Sequence, residues 1–232
     1  MREKIVGIIG GMGPEATVDL MRRVIEATPA EDDADHIRML IDNNPKIPSR
    51  IKALIEGTGE SPAPCMSQMA KELQRQGADF LVIPCNTAHH YYGEVAASVS
   101  IPVINLIELT AKTVQIRKPG IRKIGLLASS ALQKIELYEP WFSSLNIEVL
   151  YPDADSQAAV MQLIRDVKAR RCTSLQIDAY NAAAKNLEAQ GAECLVVACT
   201  ELSVINNQLI STLSIYDAAD ILAAEIVRLA EL

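Results

Sequence analysis

The sequence has no basic excess, no long apolar run and no CxxC cysteine pair, and each absence removes a class of function. Its formal net charge is −7, so it lacks the basic stripe of a non-specific nucleic-acid binder. No apolar stretch approaches the roughly 20 residues that cross a bilayer. The opening Met1–Gly11 is too short and too soon broken by glycine for a secretory leader, which predicts a cytoplasmic location. Five cysteines (Cys65, Cys85, Cys172, Cys194, Cys199) are odd in number and without metal-type spacing; in a reducing compartment they are expected to be thiols. No Gly-Lys-Ser/Thr occurs, which removes the Walker phosphate loop. What remains is a chain of 232 residues, 49% hydrophobic and 22% charged. That is an ordinary globular composition, long enough for one large domain or two of roughly 110 residues.

The most informative positive feature is a repeat. Gln76-Gly77-Ala78-Asp79-Phe80-Leu81-Val82-Ile83-Pro84-Cys85 aligns without a gap on Gln190-Gly191-Ala192-Glu193-Cys194-Leu195-Val196-Val197-Ala198-Cys199. Each block reads as a helix end at glycine, a short apolar strand and a cysteine where the strand stops. Ile5–Ile9 has its counterpart in Ile124–Ala128, with Gly125 in the place of Gly7. The segment after residue 101 has its counterpart in Leu213–Leu229. Three matched segments in one order predict a tandem duplication.

Strands and helices alternate through both halves. Pro14 suits the first position of a helix running to about Ala27. Ile37–Asp42 reads as the second strand, and the prolines of Asn43–Arg50 end its pairing. Met66, Met69, Ala70 and Leu73 recur at helical spacing before Gly77. Val103–Asn105 is expected to be a strand and Ile107–Ile116 a helix. In the second half a helix is predicted around Ile135–Phe142, then the strand Glu148–Tyr151. Val160, Leu163, Ile164 and Val167 form one face of a further helix that ends near Lys168–Arg171, and Ala179–Gln190 is another. The fold class expected is α/β: two similar three-layer α/β/α lobes with mainly parallel sheets, related by pseudo-two-fold symmetry. Ligands in such sheets bind beyond the carboxyl ends of the strands. Both cysteines, the Gly10–Gly13 turn and the Asn43–Arg50 loop belong there.

A cysteine near an apolar strand is usually a small buried hydrophobe, and Cys65, Cys172 and Cys194 are read that way. Cys85 and Cys199 differ, because polar residues follow each at an expected helix start: Asn86-Thr87 and Thr200-Glu201. Main-chain N–H groups there favour a thiolate or a bound anion. Two thiols in equivalent halves suit removal of a proton from one face of a carbon and its return on the other. One must then be thiolate while the other is thiol. Gly11-x-Gly13-x-x-Ala16 satisfies the dinucleotide pattern, but its third small residue falls inside the helix and no acidic residue ends the second strand. The turn, with Gly11 and Met12, is read instead as a cradle for a carboxylate. Arg50 and Lys168, one per half, are candidate partners for a second carboxylate. His89 and His90 have poor spacing for a metal with Cys85; no metal is expected, and His89 is read as a hydrogen-bonding or packing histidine.

Gly10-Gly11-Met12-Gly13-Pro14, Asn43-Asn44-Pro45-x-Ile47-Pro48-x-Arg50, Pro84-Cys85-Asn86-Thr87-Ala88-His89 and Cys199-Thr200-Glu201 together resemble the aspartate/glutamate racemase superfamily, and within it the aspartate racemases that work without pyridoxal phosphate. The resemblance runs over essentially the whole chain. It implies no cofactor, Cys85 and Cys199 as acid/base pair, and Asn86, Thr87 and Thr200 on the α-carboxylate. Arg50 and Lys168 would hold the side-chain carboxylate, with Asn44, His89 and Glu201 in support. Two positions depart from the pattern. Ser129, placed with the substrate-binding set, lies in Ala128-Ser129-Ser130-Ala131-Leu132 where that branch has Thr-Gly-Thr, and Ile164 stands where a tyrosine can occur. The resemblance also implies a homodimer, a small acidic amino acid as partner, and lobes of 1–99 plus 212–232 and of 100–211 with the active site in the cleft between them. The strand after each cysteine unit would cross to the other lobe. Maleate isomerisation, hydantoin racemisation, arylmalonate decarboxylation and non-catalytic amino-acid binding are the competing readings.

Overall fold

A computed structural model describes residues 3–231; Met1, Arg2 and Leu232, at the ends of the expected first lobe, lie outside the described residues. The chain divides into two units, Met1–Leu109 with Ala219–Leu232, and Thr110–Ala218.

In the first unit, β1 (Val6–Gly10) leads to α1 (Pro14–Ala27), with proline in its first turn, then to β2 (Met39–Asn43), α2 (Ala63–Arg75), β3 (Phe80–Val82) and α3 (Tyr92–Ala97). The strands pair in parallel in the order β2-β1-β3. Gly7 faces Leu81 across β1 and β3, and a Cβ there would lie 2.5 Å from the Leu81 side chain. The glycine is thus required by packing. Met66, Met69, Ala70 and Leu73 of α2 are buried, as their spacing predicts. α2 stops at Gln76, and Gly77 follows at φ +100°.

α4 (Leu106–Arg117) begins in the first unit and ends in the second. There follow β4 (Lys123–Leu127), α5 (Ser130–Lys134), α6 (Glu139–Ser143), β5 (Glu148–Leu150), α7 (Ala154–Lys168), α8 (Ser174–Ala189), β6 (Cys194–Val197), α9 (Thr200–Val204), β7 (Ser214–Asp217) and α10 (Ala218–Ala230). The second sheet is also parallel, in the order β5-β4-β6-β7. Gly125 faces Leu195 as Gly7 faces Leu81, again with too little space for a side chain. The two sheets share strand order, register and this glycine–leucine contact, which is the α/β repeat expected from the sequence. Val160, Leu163, Ile164 and Val167 of α7 are buried against Tyr180, Ala184 and Leu187 of α8. Each such side chain contributes about 1.5–3 kcal/mol by leaving water.

Four expectations need correction. Cys172, read as a small buried hydrophobe, is exposed, because it lies in the loop between α7 and α8. The helix predicted around Ile135–Phe142 is broken: α5 ends at Lys134, Glu136 turns left-handed at φ +48°, and α6 begins only at Glu139, with Pro140 in its first turn. Val103–Asn105 is a single bridge from Val103 to Leu81 rather than a strand. The strand after each cysteine unit also does not change lobes. Val103 stays beside β3, and β7 pairs with β6, so both remain next to their own cysteine strand. It is the next helix, α4 or α10, that carries the chain into the other unit. Ser214–Asp217 therefore belongs with the second sheet, although it falls within the 212–232 segment expected in the first lobe.

Candidate active site

The strand order places a switch point in each sheet, between β1 and β3 and between β4 and β6, where successive connections leave in opposite directions. The carboxyl ends of these pairs are the expected ligand positions. In the first unit they carry Gly11 and Cys85; in the second, Ser129 and Cys199.

Gly11 has φ +97°, the left-handed region that glycine enters without steric cost. A Cβ there would lie 2.2 Å from the Asn44 carbonyl oxygen, so the turn after β1 and the loop after β2 meet backbone to backbone. The Gly11 N–H donates to Thr17 Oγ1 at 3.0 Å. Met12 is buried in the same apolar cluster as Cys85 and Ile47; its side chain serves the core, leaving only its main chain for a ligand. The Asn44 side chain accepts the Lys46 N–H at 2.9 Å, and its amide lies 3.6 Å from Cys65 Sγ. Arg50, half-buried, donates to the Pro48 carbonyl at 3.2 Å and stands just before a π-turn, Lys52–Glu56. Its charge reaches Tyr91: burial pushes that hydroxyl up, Glu94 adds to the rise, and Arg50 opposes it. Arg50 thus stands within electrostatic reach of the turn that follows Cys85.

Cys85 is buried, and Asn86, also buried, stands just before a 3-10 turn, Thr87–Tyr91. The His89 ring fixes this turn. Its Nδ1 lies 2.9 Å from the Cys85 carbonyl oxygen, which only accepts, so Nδ1 carries the proton and donates. Nε2 accepts the Leu106 N–H at 3.1 Å. Full burial lowers the His89 pKa to about 4, so the ring is neutral at pH 7. With both nitrogens engaged by main chain, His89 holds the Cys85 turn to the start of α4.

In the second unit, Ser129 is buried at the start of α5. The Ala128 carbonyl before it accepts from Gln157 Nε2 at 2.9 Å. Cys199 is buried at the N-terminus of α9, with Thr200 buried beside it. Its Sγ lies 3.1 Å from Glu201 Oε2, and Glu201 Oε1 lies 3.1 Å from Lys168 Nζ, the last residue of α7. Glu201 is about 10% exposed and Lys168 46%. Burial pushes the Cys199 thiol well above its ordinary value and the Glu201 charge pushes it further; Lys168 and the Glu201 main-chain N–H oppose them. The proton therefore stays on sulfur. Lys168, expected to face a substrate carboxylate, is paired here with Glu201 and keeps a partly exposed ammonium.

The sequence of residues 9–226 matches the family model described as Asp/Glu/Hydantoin racemase. The chain belongs to the Asp/Glu/Hydantoin racemase family. It is an isomerase, of the racemase kind. The broad specificity amino-acid racemase RacX of Bacillus subtilis is 28% identical, the match covering 94% of this chain and 95% of RacX. Among solved structures, the Picrophilus torridus aspartate racemase is 33% identical at a TM-score of 0.86, covering 98% of this chain and 94% of that one. Glutamate racemase RacE1 from Bacillus anthracis shares the fold at a TM-score of 0.70 with 18% identity, over 99% of this chain and 82% of that one.

Reading the sequence misses two positioning elements of this family member. Gln157 lies on the same buried stripe of α7 as Val160 and Ile164; a glutamine on an apolar face was the available signal. Ser203 donates to Asp217 at 2.6 Å, both buried, tying α9 to β7. No local pattern announces that pair, because its members are brought together only by sheet order. Among the described residues no helix is long and apolar enough to cross a membrane.

Proposed function

We propose that this family member racemises an acidic amino acid, aspartate foremost, without a cofactor, using Cys85 and Cys199 as a thiol/thiolate pair. The observation that carries the reading is the repeated placement of a buried cysteine beyond the carboxyl end of the strand next to the first strand of its sheet. The Picrophilus aspartate racemase, at 33% identity over nearly the whole chain, supports aspartate as the first substrate to test.

One cysteine, as thiolate, takes the α-proton: the C–H bond breaks, an S–H bond forms, and the electron pair remains on the substrate carbon. The other thiol then breaks its S–H bond to deliver a proton to the opposite face. The cysteines finish with exchanged protonation, and no net proton is gained or lost. Asn86, Thr87 and Thr200 act on the α-carboxylate, where charge builds as the carbanion forms. Gly11 supplies the tight turn that presents the Met12 main chain, its own N–H being held by Thr17. Arg50 binds the distal carboxylate from the first unit and Lys168 from the second.

Cys85→Ser and Cys199→Ser should each lower racemisation by on the order of 10²–10⁴-fold, while one or both retain α-proton exchange of a single enantiomer in D2O. Full activity in both variants overturns the assignment. A second reading is a substrate range that includes neutral amino acids. It is favoured by the nearly full-length match to RacX and by the Glu201 carboxylate, which offsets the Lys168 charge. A panel of acidic and neutral amino acids, each enantiomer assayed without pyridoxal phosphate, decides between the two.

A further inference from the structure

The two cysteines stand in different electrostatic surroundings although their strands are equivalent. Cys199 is followed two residues later by Glu201, whose carboxylate lies 3.1 Å from the sulfur. Thr87 stands at the matching position after Cys85, and the nearby His89 is neutral and bonded to main chain at both nitrogens. At 3.1 Å a thiolate and a carboxylate would be two anions in contact, so one of the two atoms carries a proton. A thiol is ordinarily a far weaker acid than a carboxyl group, which puts the proton on sulfur.

The groups bearing on Cys199 come from each element packed around it. They are Lys168 from α7 and Glu201 from α9, which act on the sulfur directly, and Tyr180 from α8, which is coupled to Cys199 and on which Asp217 from β7 also acts. Lys168 alone is cationic. It meets the outer Glu201 oxygen at 3.1 Å and draws off part of the carboxylate charge that would otherwise oppose ionisation of the sulfur. Its partly exposed ammonium is also the group of this cluster that an incoming anion can reach.

We infer that Glu201 holds the proton on Cys199, that Lys168 sets how tightly, and that a carboxylate drawn to Lys168 strengthens that hold. The inference rests on the reading of Cys199 as an acid/base group. A dicarboxylic substrate then favours the thiol form of Cys199 at the start of a turnover without preventing its ionisation in the reverse direction. A neutral substrate leaves Lys168 on Glu201 and Cys199 easier to ionise. Glu201 is a positioning residue in this scheme: the S–H bond that breaks is that of Cys199, the C–H bond that forms is the substrate's, and no proton passes through Glu201.

The test is peptide-resolved alkylation of Cys199 by iodoacetamide across pH in the full-length protein, with Lys168→Met, Lys168→Arg and Glu201→Gln compared with the parent. Glu201→Gln should lower the pH midpoint for Cys199 by about one unit or more, and Lys168→Met should raise it similarly. Lys168→Arg, keeping the cation, should leave it near the parent value. Succinate, a non-reacting dicarboxylate, should raise the midpoint in the parent and leave it unmoved in Lys168→Met. Coincident curves, or both charge-removing variants shifting in one direction, overturn the inference. Lys168→Met alters a partly exposed side chain, so its result stands even if Glu201→Gln does not fold. Racemisation measured beside these curves separates the two readings. Activity with unmoved curves overturns this inference alone; shifted curves without activity overturn the assigned function alone.

Discussion

His89 shows how one side chain ties the site to stability. Unfolded, its imidazole takes up a proton near pH 6.5; native, burial lowers that value to about 4. Between these values the unfolded chain binds more protons, so stability falls as pH drops through the window, by up to about 3 kcal/mol. Urea denaturation at pH 7 and pH 4.5 should show this loss. His89→Gln should flatten that contribution while costing about 1–3 kcal/mol at pH 7 through lost buried hydrogen bonds. An unchanged slope would mean that other groups govern the acid limb. The cysteines themselves were legible in the sequence because the repeat places them in equivalent positions. The ion pair that occupies Lys168 was not, since Lys168 and Glu201 are far apart in the chain and only the packing of α7 on α9 joins them.

Among the elements, the turn after β1 has the least tolerance. A methyl group at Gly11 meets both a left-handed φ and the Asn44 carbonyl at 2.2 Å. Gly57 has a similar φ of +66°, but nothing lies within 4 Å of the same position. Gly11→Ala should therefore cost about 3 kcal/mol or more and Gly57→Ala about 1 kcal/mol, read from urea midpoints. Equal losses would show that backbone strain alone governs both sites. Helices with a continuous apolar stripe, α2 and α7, were legible for the reason that strands were: periodicity survives in any context. The Ile135–Phe142 region was misread because its apolar residues suit one helix, while the left-handed Glu136 and the position of Pro140 divide it.

For the molecule as a whole, the strand order common to both sheets marks the duplication, and its chemistry is divided unequally between the halves. Arg50 faces no carboxylate among its described hydrogen bonds, whereas Lys168 is paired with Glu201. Arg50→Gln should raise KM for aspartate about 10–100-fold, the worth of a charge-assisted contact, and leave KM for neutral amino acids within about threefold. A parallel loss for both substrate classes would assign Arg50 to the common α-carboxylate or to structure. The duplication could be read from the sequence because its blocks align without gaps. The exchange of helices rather than strands could not, because partner choice is made between distant segments.

The first unit is drawn from both ends of the polypeptide. Lys4 donates its N–H to the Ala230 carbonyl at 3.1 Å, and Arg23 on α1 pairs with Asp220 on α10. On the ribosome, everything from Thr110 to Ala218 emerges before the segment that completes the unit begun earliest. The later-made unit has all its residues first, and the earlier one is incomplete until the α10 segment has been made. Removing α10 should accordingly damage the unit that carries Cys85, although the two are far apart in the chain.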